Sequence, residues 1–358
     1  MDLVIHILVS LALARGFFPR LGKLTVLGAI LAGCVADLDA LSAYFGPSAY
    51  FSWHGTYTHS ILAALVFSIV LLVIPLLASS SNGPGPKLSD PAPTASHLTH
   101  NSARPSSLRS LLVRSFFLFF LASLLHIALD AAQSDGSLLL WPFSSRRFDA
   151  GWLPRVDPWL LAILFCAIAV PELLRLVGSE IGSKEKRPRG QLGALVGLLL
   201  ALCYTGIRGS LHSTAAALLQ SRNFHGEPAR RVWAFPQPLT AFQWHGVVET
   251  ETALDQINVN LLNTGDFDPD RSIRNFKPEV SPALTAARAS VLAQRFLATA
   301  HIPKAAIETT PAGYSVTLRD LWYTEEGEPN HAVAAYLELD RNYILTSAEL
   351  DWARDLKP

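Results

Sequence analysis

Long apolar stretches separated by short polar segments dominate the first 210 residues of the chain. Four of them have about the 20 residues that a helix needs to cross a bilayer; they are residues 58–78, 110–130, 158–177 and 191–210. Two shorter apolar stretches, residues 3–14 and 21–36, precede them and are expected to be partial spans or helices packed inside a bundle. The pattern therefore predicts about six helices.

A different pattern begins after about residue 221, where no apolar run is long enough to span a membrane. Ser281-Pro282 opens a helical pattern with Leu284, Val291 and Leu292 on one face. Two stretches alternate apolar and polar side chains as half-buried strands do, and their apolar positions are Tyr314, Val316 and Leu318, then Val333, Ala335, Leu337 and Leu339.

These patterns predict a mainly α protein in two parts. Residues 1–215 are expected to form a polytopic transmembrane helical bundle, and residues 222–358 a small α+β soluble domain. Within the first part, residues 79–108 are rich in Pro, Ser and Gly and are expected to form a disordered loop.

Composition agrees with a membrane protein. Half of the residues are hydrophobic and 16% are charged, whereas soluble chains carry about 25% charged residues. The formal net charge is zero, which gives no support to nucleic-acid binding. Cys34, Cys166 and Cys203 lie in apolar segments without CxxC spacing and are expected to be buried thiols.

The distribution of basic residues predicts the sidedness. If six helices alternate across the membrane, one set of loops holds most of the Lys and Arg, and the other set holds only Arg146, Arg147 and Arg155. Because cytoplasmic loops are enriched in Lys and Arg, the first set should be cytoplasmic. We therefore expect a multi-pass protein of the cell membrane, in contact with the lipid bilayer, whose C-terminal domain is extracytoplasmic.

The same helix register brings seven metal-ligand side chains to the outer end of the bundle: His6, Asp37, Asp39, His54, His59, His126 and Asp130. His126 and Asp130 are four residues apart, so they lie on one helix face and can grip one ion. Taken singly, each has a structural explanation, such as an interfacial histidine, a helix cap or an intrahelical hydrogen bond. Seven such groups together would be costly without a cation, so the pattern favours a metal site.

In their order along the chain, His6, Asp37/Asp39, the segment His54-Gly-Thr-Tyr-Thr-His59-Ser and His126-xxx-Asp130 resemble the YdjM-type family. Its members are membrane-bound predicted metal-dependent hydrolases, and the resemblance covers roughly residues 1–210. The ligand order is also distantly similar to that of zinc phospholipase C, which would imply phosphoester chemistry.

The resemblance implies one or two divalent ions, with zinc favoured, that activate water for hydrolysis of a phosphoester or ester. We predict Asp39, His59, His126 and Asp130 as ligands, with His6 in the metal set and with Asp37 and His54 as catalytic groups. His6, Asp37 and His54 could instead complete a second metal site. A lipid head group is the first candidate substrate. The oligomeric state is not predicted.

Two other functions stay open: a non-enzymatic membrane protein that binds or transports metal ions, and an anchor for the C-terminal domain. No G-x-S-x-G, P-loop or HExxH motif points to another class of enzyme. Three further histidines are weaker candidates. His212 is a possible contributor near the outer end of the last helix, whereas His225 and His245 are expected to be surface residues.

Overall fold

The computed structural model describes residues 3–19, 21–80, 108–134, 136–180, 190–323 and 333–352. Residues 81–107 of the predicted loop lie outside this part of the chain. The chain divides into two compact units. Unit 1 comprises Met1–Leu38 and Tyr57–Ile207, and unit 2 comprises Asp39–Thr56 and Arg208–Pro358.

Helices lie at all six predicted positions. They are α1 (Leu3–Phe17), α2 (Lys23–Ala32), α4 (Ile61–Ser80), α5 (Leu108–Ala131), α6 (Pro158–Glu180) and α7 (Gln191–Gln220), the last of which continues ten residues beyond the predicted end. A 3-10 helix, Val35–Phe45, follows α2, and a short helix, α3 (Pro47–Trp53), precedes α4. The prediction of a helical bundle is thus confirmed.

Fewer helices than six are long and apolar enough to cross a membrane. Within the described residues, α5, α6 and α7 meet this criterion. A fourth span results if α2 and the 3-10 helix, which are bent by 50° relative to each other, count as one. Helix α1 is shorter, as the sequence predicted, and eight of its 15 residues are buried in unit 1.

Helix α1 packs in the interior of unit 1 between two apolar clusters. One contains Leu13, with Ala29 of α2 and Leu118 of α5. The other contains Ile5, with Leu160 of α6. The expectation of buried cysteines is wrong for Cys166 and Cys203, which are exposed on α6 and α7, and Cys34 is only half-buried. The apolar segments of α6 and α7 expose side chains outward, as helices that contact lipid do.

The end of α2 is defined by close packing against its neighbours. Ser123 of α5 donates a hydrogen bond from Oγ to the carbonyl oxygen of Ala32 (2.8 Å). A side chain at Gly33 would collide with Ser10 of α1. This close contact favours glycine directly after α2, where the chain turns into the 3-10 helix that carries Asp37.

Unit 2 contains two four-stranded antiparallel sheets. The first has the order β3 (Arg231–Pro236), β4 (Gln243–Glu249), β5 (Ala253–Asn260) and β6 (Ile273–Phe276). The second has the order β10 (Leu345–Trp352), β9 (Val333–Asp340), β8 (Gly313–Asp320) and β7 (Pro303–Thr310). A two-stranded ribbon, β1 (Asn223–Phe224) and β2 (Glu227–Pro228), precedes them. Both predicted strands, β8 and β9, are confirmed.

The predicted helix after Ser281 is interrupted. Helix α8 (Pro282–Arg288) is capped by the Ser281 hydroxyl, and α9 (Val291–Thr299) by the Ser290 hydroxyl. Because the second cap starts a new helix, Val291 does not share the buried face of Leu284, and its side chain is exposed. The prediction for Val291 was therefore wrong. Phe296 is buried instead, in the core beneath the second sheet.

Candidate metal centre

Five of the seven predicted side chains meet inside unit 1: His6, Asp37, His59, His126 and Asp130. Each comes from the end of a helix. His6 lies in the first turn of α1, and His126 and Asp130 in the last two turns of α5. His59 directly precedes Ser60, whose hydroxyl accepts a hydrogen bond from Ala63 N and caps α4.

Asp130 is the centre of the group. Its two carboxylate oxygens lie 3.4 Å from Nε2 of His6, 3.2 Å from Nε2 of His59 and 3.1 Å from Nε2 of His126. Three imidazoles thus present the same ring nitrogen to one carboxylate. The spacing of four residues on α5 brings His126 and Asp130 together, as the sequence predicted.

Asp37 completes the group from the 3-10 helix. Its Oδ1 lies 3.7 Å from Nε2 of both His59 and His126. One ligand atom from each of His6, Asp37, His126 and Asp130 lies within 4.8 Å of the others, which is the arrangement that can hold a metal ion. The sequence assigned Asp37 to catalysis, and the geometry makes it equally suited to bind an ion.

The side chains at this centre are withdrawn from solvent. His6, His59 and His126 are at most 3% exposed, and Asp130 is 6% exposed. Among the described residues, neither ring nitrogen of His6 or His126 has a hydrogen-bond partner, and Asp37 Oδ2 has none. The short distances from His6 and His126 to Asp130 therefore lack hydrogen-bond geometry. Buried polar atoms are rarely left in this state, and a bound cation is one established way to satisfy them.

The donor set fits a divalent transition ion. Imidazole nitrogen and carboxylate oxygen suit zinc, manganese and iron. His59 has the second contact that metal-bound histidines commonly show, since its Nδ1 lies 3.0 Å from the hydroxyl oxygen of Thr58. Thr58 was not among the predicted site residues, although its place beside His59 was the available signal.

Asp39 and His54 form a separate pair in unit 2. His54 Nδ1 lies 2.9 Å from Asp39 Oδ1, and the backbone N–H of Gly55 donates to Asp39 Oδ2 (3.0 Å). Gly55 has a φ of +67°, a conformation that favours glycine in this turn. A carboxylate that contacts one imidazole nitrogen at hydrogen-bond distance fixes the orientation of the ring, as in acid–base pairs of enzymes. The predicted roles of Asp39 as ligand and His54 as catalytic group stay predictions.

The remaining histidines belong to unit 2. His212 contacts Trp244, with 5.6 Å between ring centroids. His225 is exposed, as predicted. His245 was wrongly predicted to be a surface residue. It is only 7% exposed because β4 places it in the interior of the first sheet, between β3 and β5.

Comparison with known proteins agrees with the resemblance seen in the sequence. The family model described as YdjM inner membrane protein matches residues 1–215. This range includes all seven predicted site residues. The searches of curated proteins and of solved structures give no match.

Proposed function

The chain belongs to the YdjM inner membrane protein family, and we propose that it is a membrane-bound, metal-dependent hydrolase of phosphoesters or esters. One observation carries the proposal. Three buried imidazoles direct Nε2 at one buried carboxylate, and the ring nitrogens of two of them have no hydrogen-bond partner among the described residues. Such a group is better explained by a bound cation than by folding alone.

Each residue of the proposed metal centre is assigned a role. His6, His126, Asp37 and Asp130 would hold the ion, and His59 would join them through its contact with Asp130. A divalent ion bound there would supply Lewis acidity, which would lower the pKa of water toward ~7 and polarise an ester oxygen. The two carboxylates would balance the charge of the ion, and the buried imidazoles would limit the access of bulk water to it.

Zinc is the favoured ion and a lipid head group the first candidate substrate. The nitrogen-rich ligand set favours zinc over magnesium or calcium, which prefer oxygen. The substrate proposal rests on the membrane location of the family and on the position of the ligands at helix ends. Transporters usually place their ion sites near the middle of the membrane, in interrupted helices.

The test is hydrolysis by the purified full-length protein of bis(p-nitrophenyl) phosphate, p-nitrophenyl phosphate and p-nitrophenyl acetate. We expect at least one substrate to be cleaved, with loss of activity in chelator and recovery with Zn²⁺. His126→Ala and Asp130→Asn should each lower the rate at least ~100-fold, and Glu349→Gln, an exposed carboxylate, should not.

Two results would reject the enzyme proposal. One is hydrolysis that neither chelator nor the two variants reduce. The other is stoichiometric metal binding without hydrolysis of any substrate, combined with metal flux into liposomes, which would support the transport alternative.

A further inference from the structure

A cavity of about 300 Å³ lies on the first sheet of unit 2. It is lined by Gln237, Gln243, Trp244, His245, Asn258, Val259 and Asn260. The proposed metal centre uses none of these residues. The volume is at the lower end of the range of small-molecule sites, which is about 300–1,000 Å³.

The polar side chains of the cavity are brought together by strand register. Gln243 lies opposite Asn260, and His245 lies opposite Asn258, on adjacent antiparallel strands. Directly opposed residues and residues two apart point to the same face, so these four side chains form one polar surface. Gln237 joins them because its backbone N–H donates to Gln243 O (3.1 Å).

The polar surface is one half of a face whose other half is apolar. Further along the same strands, Val247 and Leu254 are buried with Ile302 and Leu321. The cavity therefore has the composition of a ligand site, in which polar groups converge beside an apolar core.

The side chains that line the cavity indicate which class of ligand it would bind. Of the described side chains that line the cavity, four carry carboxamides, one carries an imidazole, and none carries a full charge. A phosphate site would present Lys or Arg, and a divalent cation site would present carboxylates. A carboxamide offers both an acceptor and donors, which matches a hydroxyl group that also does both.

Two hydrogen bonds orient the lining groups. Asn258 Oδ1 lies 3.1 Å from His245 Nδ1, and because this oxygen can only accept, Nδ1 carries the proton and Nε2 is the acceptor of the ring. Asn260 Oδ1 accepts from Leu262 N (3.0 Å). The oxygens of both asparagines are thus engaged, and their N–H₂ groups supply the donors.

From this arrangement we infer that the cavity binds a neutral, hydroxyl-rich ligand the size of one sugar unit. The sugar can belong to a free glycan or to the head group of a glycolipid, since both present the same hydroxyls. This binding site is additional to the proposed hydrolase centre and does not depend on it.

The test is saturation-transfer NMR on the full-length protein in phosphatidylcholine nanodiscs, which avoid the sugar head groups of maltoside detergents. Glucose, galactose, mannose and N-acetylglucosamine are each added at up to about 50 mM, because a single neutral sugar is expected to bind with a dissociation constant on the order of 1 mM. A second arm uses nanodiscs that also contain monoglucosyl diacylglycerol, and stronger binding there would identify a glycolipid source.

The variants Gln243→Ala and Asn258→Ala should each weaken binding at least ~10-fold, because each removes hydrogen bonds to the ligand. The side chain of Gln243 is exposed, so the melting temperature of Gln243→Ala should match that of the wild type. Asn258→Ala also removes the acceptor of His245 Nδ1, so its melting temperature should fall slightly while the protein stays folded at the temperature of the binding assay. Gln294→Ala, an exposed amide on α9, is the matched control and should bind normally.

Three results would overturn the inference. They are absence of binding by all four sugars and by the glycolipid, equal binding by the double variant Gln243→Ala/Asn258→Ala, or displacement of the sugar by inorganic phosphate. Loss of hydrolysis in a metal-centre variant such as Asp130→Asn should leave sugar binding unchanged.

Discussion

Replacing Asp130 by asparagine keeps the size of the side chain but removes the carboxylate charge that three imidazoles share at 3.1–3.4 Å. Two unit charges 4 Å apart interact by about 4 kcal/mol at an effective dielectric constant near 20. Loss of one such interaction with a bound cation weakens binding about 1,000-fold. We therefore expect Zn²⁺ affinity to fall by about three orders of magnitude.

Thermal unfolding in nanodiscs converts this loss into a measurable shift. At a Zn²⁺ concentration 100 times the dissociation constant, binding stabilises the wild type by about 2.7 kcal/mol, which raises Tm by about 5–10 °C in a unit of this size. For Asp130→Asn at the same concentration the shift should be below about 0.5 °C. Glu349→Gln should behave as the wild type does. An equal zinc-induced shift in Asp130→Asn would refute the role of this carboxylate.

Three further predictions concern stability. A Cβ at Gly193 would lie 2.5 Å from Pro171 Cγ, so Gly193→Ala should lower the free energy of unfolding by about 1–3 kcal/mol. A Cβ at Gly206 would have no atom within 4 Å, so Gly206→Ala should not lower it, and urea titration measures both variants. Asp320 accepts hydrogen bonds from His301 N and Ile302 N. In the same titration, Asp320→Ala should lower the free energy of unfolding by about 2–3 kcal/mol, and a change below about 0.5 kcal/mol would contradict this role of Asp320. Hydrogen bonds from Thr252, with Arg274 close by, lower the pKa of Glu227 from 4.5 to about 2. The ionised carboxylate therefore stabilises the folded protein above pH 4.5, and this contribution is lost as the pH falls toward 2. Between pH 6 and 3 the Tm of the wild type should therefore fall more than that of Glu227→Gln, and parallel profiles would contradict this.

The helices and most of the metal centre could be predicted because their signals are local. Apolar length fixes the helices, and the spacing of His126 and Asp130 fixes their common face. The convergence of His6 and His59 on them followed from one assumption, namely that successive helices run in opposite directions. Each of these residues lies at a helix end.

The different contacts of Asp37 and Asp39 could not be predicted from the sequence. They are two residues apart in a 3-10 helix, which has about three residues per turn, so their side chains point in different directions. Asp37 contacts His59 and His126, whereas Asp39 pairs with His54. The motif alone could not distinguish the two, because the packing of Gly33 against Ser10 that precedes the 3-10 helix depends on residues far apart in the chain.

The first sheet of unit 2 was missed for a related reason. The pairing of Gln243 with Asn260 and of His245 with Asn258 is set by long-range register, and polar side chains on a strand give no strong alternation. His245 therefore had the sequence signature of a surface residue, although the neighbouring strands bury it.

The most direct test of the metal centre is the metal content of the purified full-length protein by inductively coupled plasma mass spectrometry. The wild type should retain one or two equivalents of a transition metal, with zinc expected, and His126→Ala and Asp130→Ala should each retain less than about one tenth of that amount. Equal metal content in the wild type and both variants, or no metal in a folded wild type supplied with zinc, would contradict the assignment of these side chains as ligands.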